Sequence, residues 1–410
     1  MDPISVDAHL ERILAAVEPL PAYPQPIMDA LGLAAAEDVV SDVALPPFDN
    51  SSMDGYAVRR EDVVTATEES PVHLPVVGEI GAGNAQLLAL PPGTAAKIMT
   101  GAPMPSGADA VVPYEWTDRG VAHVRIDAAP DEGQHVRSAG DDVSVGDLLI
   151  ERGTVLGPRH LGLLASAGRA RIAVRPRPRV VILSTGSELR EPGNPLGHDS
   201  IYDGNSYLLA AAARRAGAIA YRVGIVPDQP KAFLDALSDQ LVRADVVVTS
   251  GGVSMGDFDV VKEALCPLGT VWFGPVAMQP GKPQGFGRVG DDDTLIFTLP
   301  GNPVSSYISF EMFVLPALRT MMGLEPASRP VVRARLTHRV GSPAGRRQFL
   351  RGHLEPDEGT VTPVGGAGSH LVGDLANADC LVVVPEDATS LDAGSSVDVI
   401  PLDSGLEGGH

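Results

Sequence analysis

The stretch 179–322 restricts the fold most, because apolar strand-like runs alternate there with helical patterns and end in polar, glycine-bearing turns. Residues 180–183 are apolar without alternation, the pattern of a strand covered on both faces, and run into Ser184-Thr185-Gly186-Ser187-Glu188. A second run, 245–249, ends in Ser250-Gly251-Gly252-Val253-Ser254. A third, 294–299, ends in Pro300-Gly301-Asn302-Pro303 and enters a long apolar helical pattern closed by Gly323. Helical patterns at 206–216 and 231–244 lie between the first two runs. This order predicts a doubly wound α/β unit whose strands are joined by helical crossovers. Ligands of such sheets sit beyond the carboxyl ends of the strands, where this chain places its Gly, Ser, Thr and carboxylates.

Any one glycine-rich strand-to-helix turn occurs in many α/β domains without a ligand. Three together point to an anion, since glycine lets backbone N–H groups approach a phosphate and a helix N-terminus adds favourable charge. Thr185, Gly186, Ser250, Gly251, Gly252, Ser254, Gly301 and Asn302 are the candidates for this cradle. Glu188, Asp228 and Asp259 would repel an anion unless a divalent cation stood between, which makes them candidate ligands for a hard, oxygen-bound Mg²⁺. Lys282 can add a further positive charge.

Thirty-one Lys and Arg against 52 Asp and Glu give a net charge of -21, which argues against nucleic acid or an anionic membrane as a partner. Cys266 and Cys380 have no metal-ligand spacing and read as packing residues in a reducing compartment. The N-terminus is acidic and amphipathic, and no apolar run approaches the ~20 residues of a membrane span, so the cytoplasm is expected.

Along the rest of the chain, residues 5–17 have helical spacing and should stop before Pro19, a second helix is expected at 26–31, and 38–44 reads as a strand broken by Pro46-Pro47. Asp54-Gly55, alone, reads as a turn. Residues 72–126 hold short β-type runs with little helical periodicity, a small all-β domain. Pro158 opens a short helix closed by Gly168, and 169–179, with five arginines, reads as a solvated linker. Short strands beyond Pro330 predict a small β-barrel or sandwich, and the tail after Leu402 is expected to be disordered.

Several motifs now stand in a recognisable order: Pro46-Pro47-Phe48-Asp49-Asn50-Ser51-Ser52-Met53-Asp54-Gly55-Tyr56-Ala57, Met99-Thr100-Gly101-Ala102, Gly140-Asp141-Asp142, Ser184-Thr185-Gly186-Ser187-Glu188, Thr249-Ser250-Gly251-Gly252, Pro280-Gly281-Lys282-Pro283 and Pro300-Gly301-Asn302-Pro303. The set resembles the molybdopterin molybdenumtransferase family, whose eukaryotic relatives form the E domain of gephyrin. The resemblance implies an elongated discontinuous domain at 1–48 and 140–178, an inserted β domain at 49–139, an α/β molybdopterin-binding domain at 179–327 and a C-terminal β domain at 328–410. It implies a transferase that cleaves adenylylated molybdopterin with Mg²⁺, delivers molybdate to the dithiolene and releases AMP. It further implies a homodimer with a shared cleft, and possible handover from the preceding adenylyltransferase. The family's acids fall on Asp54, Asp142, Glu188, Asp228 and Asp259, its threonine on Thr100, its prolines on Pro300 and Pro303, and its anion-binding positions on Lys282, Arg351 and Ser369. Gln279 stands where some relatives carry lysine. An adenylyltransferase fits the α/β domain alone and is disfavoured by the flanking domains. A gephyrin-like binding scaffold would not need the acidic positions, and tungstate remains an alternative oxyanion.

Overall fold

The computed structural model describes residues 2–83, 89–251 and 259–403. By packing, the chain divides into two compact units, one comprising Met1–Glu37, Arg152–Gly157 and Ile172–His410, the other Asp38–Glu151 and Pro158–Arg171.

In the larger unit a six-stranded sheet has the order Ile219–Arg222, Arg179–Ser184, Val246–Ser250, Thr294–Leu299, Pro283–Val289, Val271–Pro275. The first four strands are parallel, and the last two add antiparallel pairings. Their unbroken apolar runs are explained by cover on both faces: Val180, Ile182 and Val248 point into one core, Val181, Leu183 and Val247 into the other. The crossovers are Asn205–Arg215 and Pro230–Leu241. The expected long helix after Pro303 is instead Pro303–Ser309, a π-helical turn Phe310–Val314 and Leu315–Met321, ended by Gly323 at φ 68°. Pro316 explains the interruption, because it has no N–H to donate to the carbonyl four residues earlier.

The N-terminal helix Val6–Ala15 starts at Ser5, whose hydroxyl accepts from Ala8 N–H at 3.1 Å, and buries Val6, His9 and Ile13. The helix expected at 26–31 is only a 3₁₀ turn, Ile27–Ala30, in keeping with prolines at 24 and 26 that fix extended backbone before it. The arginine-rich stretch is not a free linker. Arg171–Val174 is a strand whose Ala173 carbonyl accepts from Ala36 N–H, Arg175 donates to the Leu20 carbonyl at 2.6 Å, and Arg179 pairs with Asp245 at 2.8 Å.

The C-terminal strands close on themselves in the order Arg347–Glu355, Thr360–Pro363, Val332–Leu336, Ser396–Pro401, Cys380–Val384 and back to Arg347–Glu355, a five-stranded barrel. Closure removes the free edges that short strands would otherwise expose. Cys380 is buried in this core and does pack there, whereas Cys266 is exposed. A fully buried ion pair, Arg329 with Glu311 at 2.5 Å, joins the π-helical turn to the start of the barrel, and Arg329 also donates to the Pro401 carbonyl.

The smaller unit is built on a five-stranded sheet in the order Ala110–Pro113, Gly55–Val58, Ala95–Ile98, Val72–Ile80, His123–Ile126. The strand expected at 38–44 shortens to Val39–Val40, paired with Leu148–Ile150. The helix Pro158–Ser166 forms as expected, with Gly168 at φ 76° just beyond it. Among the described residues no helix is long and apolar enough to cross a membrane.

Candidate active site

The carboxyl ends of the parallel strands converge as their sequence pattern requires. A Cβ on Gly301 would lie 3.5 Å from the Gly251 Cα, so two of the glycine loops touch through backbone. Gly251 has φ 90°, and a side chain there would lie 3.1 Å from the Thr185 carbonyl, which ties in the third loop. A cleft of about 260 Å³ opens above this junction. Its floor is polar, with Thr185, Asp203, Asn205, Ser250 and the backbone of Gly251 and Gly301. Leu189, Ile201, Tyr202, Leu208 and Val372 supply apolar walls, and Glu188 is exposed at the lip. A Cβ on Gly186 would stand 2.8 Å from the Glu188 carboxylate, so glycine there gives that carboxylate its room.

Two features distinguish this floor. Thr185 Oγ1 is buried, has no hydrogen-bond partner among the described residues, and belongs to a residue lining the cleft. Beside it a network holds the floor rigid: Asp203, 2% exposed, accepts from Ser206 N–H at 3.0 Å, the Ser206 hydroxyl at 2.6 Å and the Ser184 hydroxyl at 3.3 Å. Arg222 donates to the Ser206 hydroxyl and to Glu191, while its guanidinium stacks 3.5 Å from the Tyr207 ring centroid.

The barrel contributes the fourth side. Asn302 donates to the Ser369 hydroxyl at 2.8 Å, and Val304 N–H donates to the Ser369 carbonyl at 3.1 Å. Arg351 is buried; it donates to the carbonyls of Gly366 and Gly368, its Nε–H has no partner among the described residues, and its pKa is lowered by burial. Arg351, Ser369, Asn302 and Pro303 are therefore brought together beside the cleft. Lys282 is half-buried on the turn before Pro283–Val289, outside the cleft lining, with no side-chain partner among the described residues.

Of the remaining acids in this unit, Asp228 is exposed in the loop after Val226, which bridges to Thr185. Asp259 is buried and caps the helix Val260–Leu265, its carboxylate accepting from Lys262 N–H at 3.2 Å. Among the described residues no three His, Cys, Asp or Glu side chains are gathered around a possible metal position, so Glu188, Asp228 and Asp259 form no ready-made cage. Gly252 and Ser254 lie outside the described residues.

In the smaller unit, three motif loops are sewn together. Gly101 N–H donates to the Ser51 carbonyl and Ser51 N–H to the Ala102 carbonyl, joining the Asp49–Asp54 loop to the Thr100 loop. Asp49 accepts from Ala139 N–H at 2.8 Å, and Asp142 N–H donates to the Leu45 carbonyl, joining the Asp142 loop. Asp54 Oδ1 accepts from both the Thr100 N–H at 2.7 Å and its hydroxyl at 2.8 Å, and these bonds hold the carboxyl below the usual carboxylate range. Asp54-Gly55 is not a simple turn: Gly55 starts a central strand, where a Cβ would stand 2.1 Å from the Val112 carbonyl oxygen. Asp142 is exposed, with no side-chain partner among the described residues.

Comparison with known proteins covers nearly the whole chain. Residues 4–168 match the MoeA N-terminal region (domain I and II), 181–320 a probable molybdopterin binding domain, and 333–402 the MoeA C-terminal region (domain IV). Molybdopterin molybdenumtransferase 2 of Mycobacterium tuberculosis is 47% identical over 383 residues, covering 92% of this chain and 94% of its own. The chain belongs to the molybdopterin molybdenumtransferase family. The family's enzyme from Haemophilus influenzae is 35% identical over 92% of the chain and 93% of its own length. The crystal structure of the molybdopterin biosynthesis MoeA protein from Pyrococcus horikosii superposes with a TM-score of 0.86 at 34% identity, covering 98% of this chain and 100% of that one. The multidomain α/β-plus-β architecture expected from the molybdenumtransferase resemblance is thus the observed one.

Asp203, Asn205, Ser206 and Arg222 were not singled out as site residues by sequence reasoning. The available signal was Asp203-Gly204-Asn205-Ser206, a polar stretch directly before a helical run, which reads as a helix start. Here Asp203, Gly204 and Asn205 also line the cleft.

Proposed function

We propose that the protein inserts molybdate into adenylylated molybdopterin, cleaving the phosphoric anhydride and releasing AMP with the help of Mg²⁺. That it is an enzyme of molybdenum cofactor biosynthesis follows from relatives named molybdopterin molybdenumtransferase that match it over most of its length. The observation that carries the finer reading is the cleft at the convergence of the Thr185, Ser250-Gly251 and Pro300–Pro303 loops, with a buried hydroxyl that has no partner among the described residues and two backbone loops held by glycine.

The donor chemistry fits Mg²⁺. An ion that keeps waters and takes only one or two carboxylates, the rest coming from phosphate oxygens, needs no three-carboxylate cage. Glu188, Asp228 and Asp259 are the acids from which its one or two carboxylate ligands would be drawn. When bound, the ion neutralises charge on the anhydride as the bond breaks. Thr185 and the backbone of Gly251 and Gly301 orient the phosphates, Lys282, Arg351 and Ser369 serve the anionic groups and molybdate, and Asp54, Thr100 and Asp142 complete the site from the partner subunit.

Wild-type protein is expected to release AMP from adenylylated molybdopterin plus molybdate and Mg²⁺; no AMP refutes the reading. Asp259→Asn keeps an oxygen to cap Lys262 N–H and removes the charge. Its turnover is expected to fall roughly 100-fold, the scale of losing one charge-stabilising group, with partial recovery in added Mg²⁺ and unchanged thermal melting. Near-normal turnover at low Mg²⁺ would leave Asp259 a helix cap only. The shared site also requires a homodimer, so light scattering at micromolar concentration should give twice the 42.7 kDa chain mass, and a monomer contradicts it. Cytoplasmic location, with substrate delivered by the preceding adenylyltransferase, completes the proposal.

A further inference from the structure

One side chain in the floor of the cleft has its hydrogen-bond polarity fixed by its neighbours. Asn205 approaches the Gly301 carbonyl oxygen at 2.5 Å and the Ser250 hydroxyl at 2.8 Å. Gly301 O can only accept, so the atom facing it is the amide nitrogen and not the amide oxygen. The hydroxyls agree. Ser306 spends its proton on the Pro300 carbonyl, so across the 3.3 Å contact with Ser250 it is Ser306 Oγ that accepts and Ser250 that donates. Ser250 Oγ is then left to accept from Asn205. The chain of bonds runs one way, Asn205 to Ser250 to Ser306 to Pro300, and uses both amide N–H groups of Asn205. Its Oδ1 has no hydrogen-bond partner among the described residues, and Asn205 lines the cleft.

This corner of the cleft therefore offers an obligate acceptor, which suits an N–H group and repels a phosphate oxygen. The walls around it are apolar and unusually open for their type: Ile201 is 57% exposed, Val372 51% and Tyr202 46%, with the Tyr202 hydroxyl tethered to the Asn194 carbonyl at 2.9 Å. At about 260 Å³ the cleft is smaller than the 300–1,000 Å³ typical of sites that enclose a whole drug-sized ligand, so it holds one ring system and not the entire substrate.

We propose that Asn205 is a specificity-determining residue, whose Oδ1 accepts a hydrogen bond from the exocyclic amino group of a flat heterocycle held between these apolar walls. This deepens the proposed function, on which it rests: adenylylated molybdopterin carries two such heterocycles, its pterin and its adenine. Asn205 also positions the anion loops, because its amide clamps Ser250 to Gly301.

The test swaps the amino group on the ligand. Calorimetry on the intact wild-type protein compares 6-hydroxymethylpterin with its 2-oxo counterpart, and AMP with IMP. In one of the two pairs the amino compound should bind about tenfold tighter, the scale of one neutral hydrogen bond lost with its partner left unpaired. The pair that discriminates identifies the heterocycle. In Asn205→Ala, checked for folding by thermal melting, that preference should vanish while binding of the oxo compound changes less. No preference in either pair, a preference that survives Asn205→Ala, or no binding of any of the four compounds would overturn the proposal. The wild-type comparison stands even if the variant fails to fold. AMP release from the full substrate reports on the reaction separately, so a turnover-competent protein without amino preference removes this inference and leaves the function intact.

Discussion

Glu311→Ala is expected to lower the unfolding free energy by about 3–5 kcal/mol, a large share of the roughly 5–15 kcal/mol that holds a typical domain together. The reason is the charge left behind. Glu311 and Arg329 are each 1% exposed at the side chain, with Nε to Oε2 at 2.5 Å and a second contact at 3.3 Å. Without the carboxylate, a buried guanidinium that still donates to Pro401 O has lost its opposite charge, and Arg215, 3.7 Å from Glu311, adds like charge nearby. The pair itself is not thereby a strong stabiliser, because burying two charges costs nearly what their attraction returns. The paired replacement Glu311→Leu with Arg329→Met separates these terms and should recover most of the loss. Urea unfolding of the three proteins measures both. A single variant within about 0.5 kcal/mol of wild type would mean that water reaches the pair and that it does not fasten the π-helical turn to the barrel.

Where one local signal sufficed, the sequence showed the structure. The strand Arg179–Ser184 was legible because residues 180–183 are apolar at every position, which only a doubly covered strand explains. The loops that follow were legible because glycine there answers a backbone demand, as the near contact of Gly251 with Gly301 shows. Asp54 with Thr100 could be paired only through the family resemblance, since 46 residues separate them and their contact depends on the register of Gly55–Val58 against Ala95–Ile98. The misread segments share a cause. Residues 38–44 and the arginine-rich 169–179 have the local composition of a strand and a linker, but their state is set by partners distant in the chain, such as Asp147 for Ser41 and Leu20 for Arg175. The contacts of Asn205 are not legible in the sequence because they run to Ser250 and Gly301, neither of them near it in the chain.

His9 gives the strongest expected response to acid. It sits on the buried face of Val6–Ala15, 1% exposed, between the rings of Trp272 at 5.0 Å and Phe313 at 4.6 Å, with Nδ1 unpartnered among the described residues. Burial first, and the Arg12 guanidinium stacked over Trp272 second, push its pKa down from 6.5 to about 3. The folded protein thus resists a proton that the unfolded chain takes up readily. The stabilisation from keeping His9 neutral is complete above pH 6.5 and is lost as pH falls from there towards the folded value near 3. Over the whole window this amounts to something on the order of 5 kcal/mol, and by about pH 4 to roughly 3 kcal/mol. His9→Phe keeps an aromatic ring against Trp272 and Phe313 and cannot take the proton. Phenyl is larger than imidazole, and a packing cost of about 1–3 kcal/mol applies equally at every pH. The measurement is therefore a difference: urea unfolding of both proteins near neutrality and near pH 4, where wild type should lose roughly 3 kcal/mol more than His9→Phe. Many carboxylates titrate over the same range in both proteins and cancel in that comparison. Equal acid losses would show that His9 is protonated in the folded state and that the N-terminal helix leaves its place on Trp272 and Phe313 at little cost.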